Sequence, residues 1–91
     1  MVGNIFIDRY PKLDLHGEDR DSARMLTNEF VCDNVILGNE MIVIIHGHGS
    51  GIVKKAVHTA LKRNKYVEEY KTDNFNDGCT VVKLRLNRKN D

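Results

Sequence analysis

Proline occurs once, cysteine twice and tryptophan not at all in this chain of 91 residues. With Pro11 alone and no low-complexity stretch, no segment reads as a linker, and 10.4 kDa is expected to form one small domain. Cys32 and Cys79 lie far apart and outside any Cys-x-x-Cys frame. That spacing reads as free thiols in a reducing, cytoplasmic setting. The longest apolar run, Met41 to Ile45, is far too short to cross a bilayer, so no membrane partner is expected. Residues 1–10 lack the basic-then-apolar order of a secretory signal. A surplus of one charge is missing too. Fourteen Lys and Arg stand against thirteen Asp and Glu, a net of +1. This excludes a uniformly basic nucleic-acid coat and an acidic disordered tail.

The near-zero total conceals a division. Residues 1–40 carry four basic and eight acidic side chains, and residues 41–91 carry ten basic and five acidic ones. Lys54, Lys55, Lys62, Arg63 and Lys65 follow one another with no acid between them. Such a run is often no more than a solvated helix face, but it can also form one basic side of a neutral protein.

Hydrophobic period and turn residues predict the order β-α-β-α-β-β. Residues 12–16 alternate, with Leu13 and Leu15 on one side and Asp14 and His16 on the other, and stop at Gly17. Asp19 is expected to cap a helix from Arg20 to Gly38, with Ala23, Leu26 and Phe30, joined by Met25 and Ile36, toward the core. Met41 to Ile45 reads as a strand buried on both faces. Val53, Ala56, Val57, Ala60 and Leu61 carry the clearest helical spacing, ahead of a stop at Asn64 and after a cap at Ser50. Strands are expected at 66–72 and 79–86, the second with Thr80, Val82, Leu84 and Leu86 on one face. The expected fold class is α/β, a two-layer sandwich of two helices on a mixed four-stranded sheet. Residues 1–12 read as an extended arm and 87–91 as a basic tail.

Ligands of open α/β sheets bind beyond the carboxyl ends of parallel strands. His16-Gly17 ends the first expected strand, and His46-Gly47-His48-Gly49-Ser50-Gly51 ends the second. If those strands pair, three of the four histidines share one sheet edge with the N-terminus of the second helix. Alternating glycines open the backbone, and a helix N-terminus attracts anions. The loop lacks the spacing of a dinucleotide fingerprint and the Gly-Lys-Ser/Thr of a P-loop. A three-histidine metal site is the weaker alternative, and a merely tight turn with exposed histidines also fits the composition.

Leu13-Asp14-Leu15-His16-Gly17, followed some thirty residues later by Ile45-His46-Gly47-His48-Gly49-Ser50-Gly51 and a basic helix with Lys55-Ala56-Val57, resembles the Smr (small MutS-related) domain. The likeness extends to Gly78-Cys79-Thr80-Val81-Val82 and covers residues 13–86. It implies a fold like the C-terminal domain of bacterial translation initiation factor three, with nucleic-acid binding. For several members it also implies DNA-nicking or RNA-cleaving endonuclease activity, in settings such as DNA repair or recombination. The chain departs from the family pattern at His48, where lysine is frequent, and at Arg20, where an apolar residue is common.

Asp14, His16 and His46 are therefore expected at a catalytic centre. His16 would handle protons and Asp14 would orient it. Gly47, His48, Gly49, Ser50 and Gly51, with Lys54 and Lys55, are expected to hold phosphate. His46, closing a buried strand, reads equally as a hydrogen-bonded core residue. His58 reads as boundary packing. No protein-held metal is expected, although a divalent metal would suit phosphodiester chemistry. The partner is expected to be DNA or RNA, free or on a ribosomal surface. The alternative is a module that binds structured or branched nucleic acid without cutting it.

Overall fold

The structure is a computed structural model that describes residues 9–49 and 51–86. The expected arm through residue 8 and the tail 87–91 lie outside the described residues, as does Ser50.

The first strand, β1 (Lys12–Asp14), is short because Gly17, at φ 84°, turns the chain soon after it. Helix α1 (Arg20–Leu37) then starts on the Asp19 cap, whose carboxylate accepts the Ser22 N–H at 2.8 Å. It ends at Gly38, whose left-handed backbone (φ 81°) lets the Asn39 N–H reach the Asn34 carbonyl. The buried stripe of α1 is Ala23, Thr27, Val31 and Asn34. Met25 and Ile36, expected toward the core, are 53% and 76% exposed. Ala23, Thr27, Val31 and Asn34 take the inner face, the expected Leu26 and Phe30 pack half-buried against the core, and α1 packs along the second helix. Asn34 is buried at no loss because its amide donates to the Phe30 carbonyl and its oxygen accepts from Asn39.

Strand β2 (Met41–Ile45) has its three central residues buried and runs parallel to β1, with Leu13 opposite Ile44. Helix α2 (Ile52–Arg63) buries Val57, Ala60 and Leu61 and places Lys62 and Arg63 in its last turn before Asn64. Its N-cap position falls on Gly51, one residue after the serine expected there, with no side-chain cap. Strands β3 (Val67–Thr72) and β4 (Cys79–Leu84) are antiparallel, and β4 inserts between β2 and β3 to give the order β1-β2-β4-β3. The two-layer, mixed-sheet α/β architecture is thus the expected one. Leu15, Ile42, Ile44, Val82 and Leu84 meet Ala23, Val31, Val57 and Leu61 of the helices. Burying each of the larger side chains contributes about 1.5–3 kcal/mol. Val43 and Cys79 form a smaller cluster with Tyr10, so the last residues assigned to the arm rest on the sheet. Cys32 is exposed and Cys79 buried, both free thiols. Among the described residues no helix is long and apolar enough to cross a membrane.

Candidate functional site

Parallel pairing of β1 with β2 brings the two histidine segments side by side. The Leu15 N–H donates to the Ile45 carbonyl at 2.7 Å, which locks the end of β1 onto β2. A Cβ added to Gly47, which sits at φ 84°, would stand 3.4 Å from the His16 Cβ. From the other side, the Gly78 carbonyl accepts both the His46 and the Gly47 N–H, at 2.8 and 3.0 Å. Three loops thus meet over the ends of β1, β2 and β4. They enclose an open cleft of about 530 Å³ lined by His16, His46, Gly47, His48, Gly49, Gly51 and Lys54. The cleft is closed on one side by the start of α2, whose uncapped end places its positive dipole there.

His16 is exposed, and its Nδ1 lies 2.6 Å from the Asp14 carboxylate, which also accepts the His16 backbone N–H at 3.1 Å. Its Nε2 has no partner among the described residues. The side-chain hydrogen bond and charge of Asp14 raise the His16 pKa above the ordinary imidazole range. The same hydrogen bonds lower the pKa of Asp14. The carboxylate fixes which ring nitrogen points away from it, so one nitrogen is held and the other is left for chemistry.

His46 is built differently. It is 4% exposed. Its Nδ1 donates to the Gly47 carbonyl at 3.1 Å, so its Nε2 must accept, and the Thr80 hydroxyl at 2.8 Å is the donor. The Thr80 oxygen then accepts from the His58 Nε2–H, also at 2.8 Å. His58 stands edge-on to His46 and to Tyr70, with ring centroids 5.9 and 5.0 Å away. Burial pushes the pKa of both histidines below the ordinary range, which suits this neutral arrangement. His58 and Thr80 are the residues that sequence reasoning missed. The signal was there: Thr80 falls on the inward face of its strand, and a buried hydroxyl requires a partner.

The profile of the Smr domain family matches residues 13–85. The chain belongs to the Smr domain family. Endonuclease MutS2 of Clostridium acetobutylicum is 34% identical over 76 residues, and that of Symbiobacterium thermophilum is 38% identical over 78. These stretches cover 80% and 82% of this chain but only 10% of each relative. The chain therefore spans about a tenth of the length of these curated relatives. Among solved structures, the Smr domain of Thermus thermophilus MutS2 superposes with a TM-score of 0.79 at 29% identity, covering 82% of this chain and 98% of that one. YdaL, a stand-alone small MutS-related protein from Escherichia coli, gives 0.78 at 26% identity, covering 84% of this chain and 67% of that one.

Within this Smr domain the remaining expected residues divide. His48 pairs with Asp77 at 2.7 Å across the cleft mouth. Nothing in the turn-rich sequence around Asp77 announced that partner. Lys54 lines the cleft, but Lys55 lines the furrow between α1 and α2 instead. Both lysines also border an open hollow shared with His58, Lys62 and Tyr70. Among the described residues no three of His, Cys, Asp and Glu stand together as a metal-ligand set. His46 spends both ring nitrogens inside the protein, so the three histidines do not fit a protein-held metal centre.

Proposed function

We propose that this Smr domain binds a nucleic-acid strand in the cleft and cuts a phosphodiester there. The observation that carries the reading is the exposed Asp14–His16 pair on the rim of a cleft walled by a glycine loop and the start of α2. Asp14 holds Nδ1–H of His16, which leaves Nε2 to take a proton from the attacking oxygen or to give one to the departing oxygen. The same hydrogen bond and charge of Asp14 raise the His16 pKa, favouring the protonated ring that would give a proton to the departing oxygen. The helix dipole and the Lys54 side chain balance charge on the phosphate. His46 acts as a positioning residue that fixes the Gly47 end of the loop, and no proton of the reaction passes through it. His48 and the open backbone of Gly49 and Gly51 form the far wall against which the phosphate rests.

The test compares nicking of supercoiled plasmid and cleavage of a structured RNA by the wild type, His16→Ala and Asp14→Asn. His16→Ala is expected to lose cleavage by two orders of magnitude or more while keeping its affinity, in line with the ~10²–10⁴-fold contributed by general acid–base groups. Equal rates in wild type and His16→Ala would remove His16 from the chemistry. Salt-dependent binding with no cleavage under any divalent-metal condition would select the non-cutting module.

A further inference from the structure

The cleft by itself is poor in positive charge. Lys54 lines it, but so does Glu18, and Asp14 and Asp77 stand at its edges on His16 and His48. A His–Asp pair adds no net cation to the loop. A polyanion drawn to this site needs attraction from elsewhere on the surface.

The surface beside it supplies that attraction. From the cleft, across Ile52, a furrow of about 430 Å³ opens between α1 and α2 and is lined by Arg20, Arg24 and Lys55. Past Arg24 and Thr59 it continues into a second hollow of about 440 Å³ lined by Arg63, Lys65 and Tyr66. Arg20 and Arg24 are one turn apart on the same ridge of α1, followed by the uncharged Asn28 and Cys32. Glu29 and Asp33 of α1 are exposed but do not line the furrow. On α2, Lys55, Thr59 and Arg63 repeat the same four-residue spacing. All four of Arg20, Arg24, Lys55 and Arg63 are exposed and have no ion-pair partner among the described residues. Asp21 is the acid that shares the furrow with them.

We propose that the α1–α2 furrow is a phosphate track for the nucleic-acid strand leaving the cleft, with Arg20, Arg24, Lys55 and Arg63 as its contacts. The proposal rests on the reading of the cleft as a phosphodiester site. From Lys55 to Arg63 the helix advances about 12 Å. Its four cations are placed to hold the strand by its phosphates, and the DNA and RNA arms of the test read whether either sugar is preferred.

The test measures fluorescence-anisotropy binding of labelled single strands of about 4 and about 12 nucleotides, made as DNA and as RNA, over a salt series. Wild type is expected to bind the longer strand more tightly. Arg24→Gln with Arg63→Gln is expected to weaken long-strand binding roughly tenfold and to reduce the salt slope by about 1.4, at about 0.7 per single-strand phosphate contact. The charge-matched control, Lys71→Gln with Arg85→Gln, removes two exposed cations outside the furrow and is expected to keep wild-type affinity. The track is overturned if the furrow variant keeps the wild-type slope, or if the control loses as much as the furrow variant. A wild type that shows the length and slope dependence but never cuts keeps the track and defeats the cutting mechanism. One that cuts without dependence on Arg24 and Arg63 does the reverse.

Discussion

Thr80→Val isolates the buried link between the two histidines. The Thr80 hydroxyl donates to His46 and accepts from His58, both at 2.8 Å, and Thr80 itself is fully buried. Valine keeps the shape and removes both hydrogen bonds. His46 is left with a buried, unsatisfied nitrogen, which costs about 1–3 kcal/mol, and the half-buried His58 loses a hydrogen bond of about 0.5–1.5 kcal/mol. Relief from burying a hydroxyl offsets part of this, so the expected net loss is about 2–3 kcal/mol. At roughly 4–8 °C per kcal/mol for a domain of this size, Tm should fall by about 10–20 °C. Thr80→Ser is the control. It keeps the hydroxyl and loses one methyl, about 0.8 kcal/mol. The assay is urea unfolding with the m-value held constant between variants, so that a change in midpoint reports stability. Repeating Thr80→Val in a His58→Phe background should shrink its effect, since one of the two bonds is already gone. If Thr80→Val is no less stable than Thr80→Ser, the tautomers assigned to His46 and His58 are wrong, and His46 is again free to serve the cleft.

Four further outcomes are expected. By NMR the His16 ring should titrate above the ordinary value of about 6.5 and move down in Asp14→Asn, because Asp14 is the cause of its raised pKa. His46 and His58 should titrate below that value. Stability should follow with opposite signs. Below about pH 6.5 the unfolded chain takes up protons that folded His46 and His58 refuse, so stability falls as pH drops. Above it, folded His16 holds a proton that the unfolded chain has released, so stability declines until its folded pKa is passed. The decline should vanish in His16→Ala, and equilibrium unfolding across pH 5–8 would show a different shape if either sign were wrong. Thr27→Val should raise stability by about 1 kcal/mol, because the buried Thr27 hydroxyl has no hydrogen-bond partner among the described residues. A loss in chemical unfolding would show that it has one. Gly78→Ala should expel His48 from the cleft mouth, since the new Cβ would lie 2.8 Å from the His48 Cε1. His48 is exposed and free to turn away, so a change in phosphate affinity with Tm nearly unchanged is expected. A large fall in Tm would instead place the conflict in the backbone.

Local signals carried most of the fold. Strand β2 has the bounds its apolar run predicted, because a strand buried on both faces leaves an unbroken record. The Asp19 cap and the Gly38 stop were legible because each serves its own backbone within a few residues. Leu26 and Phe30 reach the core as their spacing predicts, whereas Met25 and Ile36 fall outside the stripe of Ala23, Thr27, Val31 and Asn34, which a helix packed closely on another fills partly with small and polar residues. Of the site, the neighbourhood of the two histidine segments followed from their position after parallel strands. Their different roles did not, since Thr80 and Asp77 reach them from the far end of the chain. Lys54 and Lys55, adjacent in sequence, share one hollow beside α2, and only Lys54 also lines the histidine cleft.

The two histidine motifs are coupled through backbone as much as through side chains. The Gly78 carbonyl holds the His46 and Gly47 amides, the Ile45 carbonyl holds the Leu15 amide, and Gly47 leaves room for no more than a Cβ beside His16. The loop that would receive phosphate is therefore fixed to the same strand ends that aim His16, and neither can move far without the other. Within that rigid corner one histidine is fully engaged by the protein and the other offers a free nitrogen. Such a corner can orient a scissile bond, but its charges nearly cancel. Affinity must then come from cations mounted on another element, and α2 links the two tasks. Its first turn closes the cleft, and the same helix continues as one wall of the furrow, so under the proposed reading a strand held along that wall leads to the cleft that His16 lines.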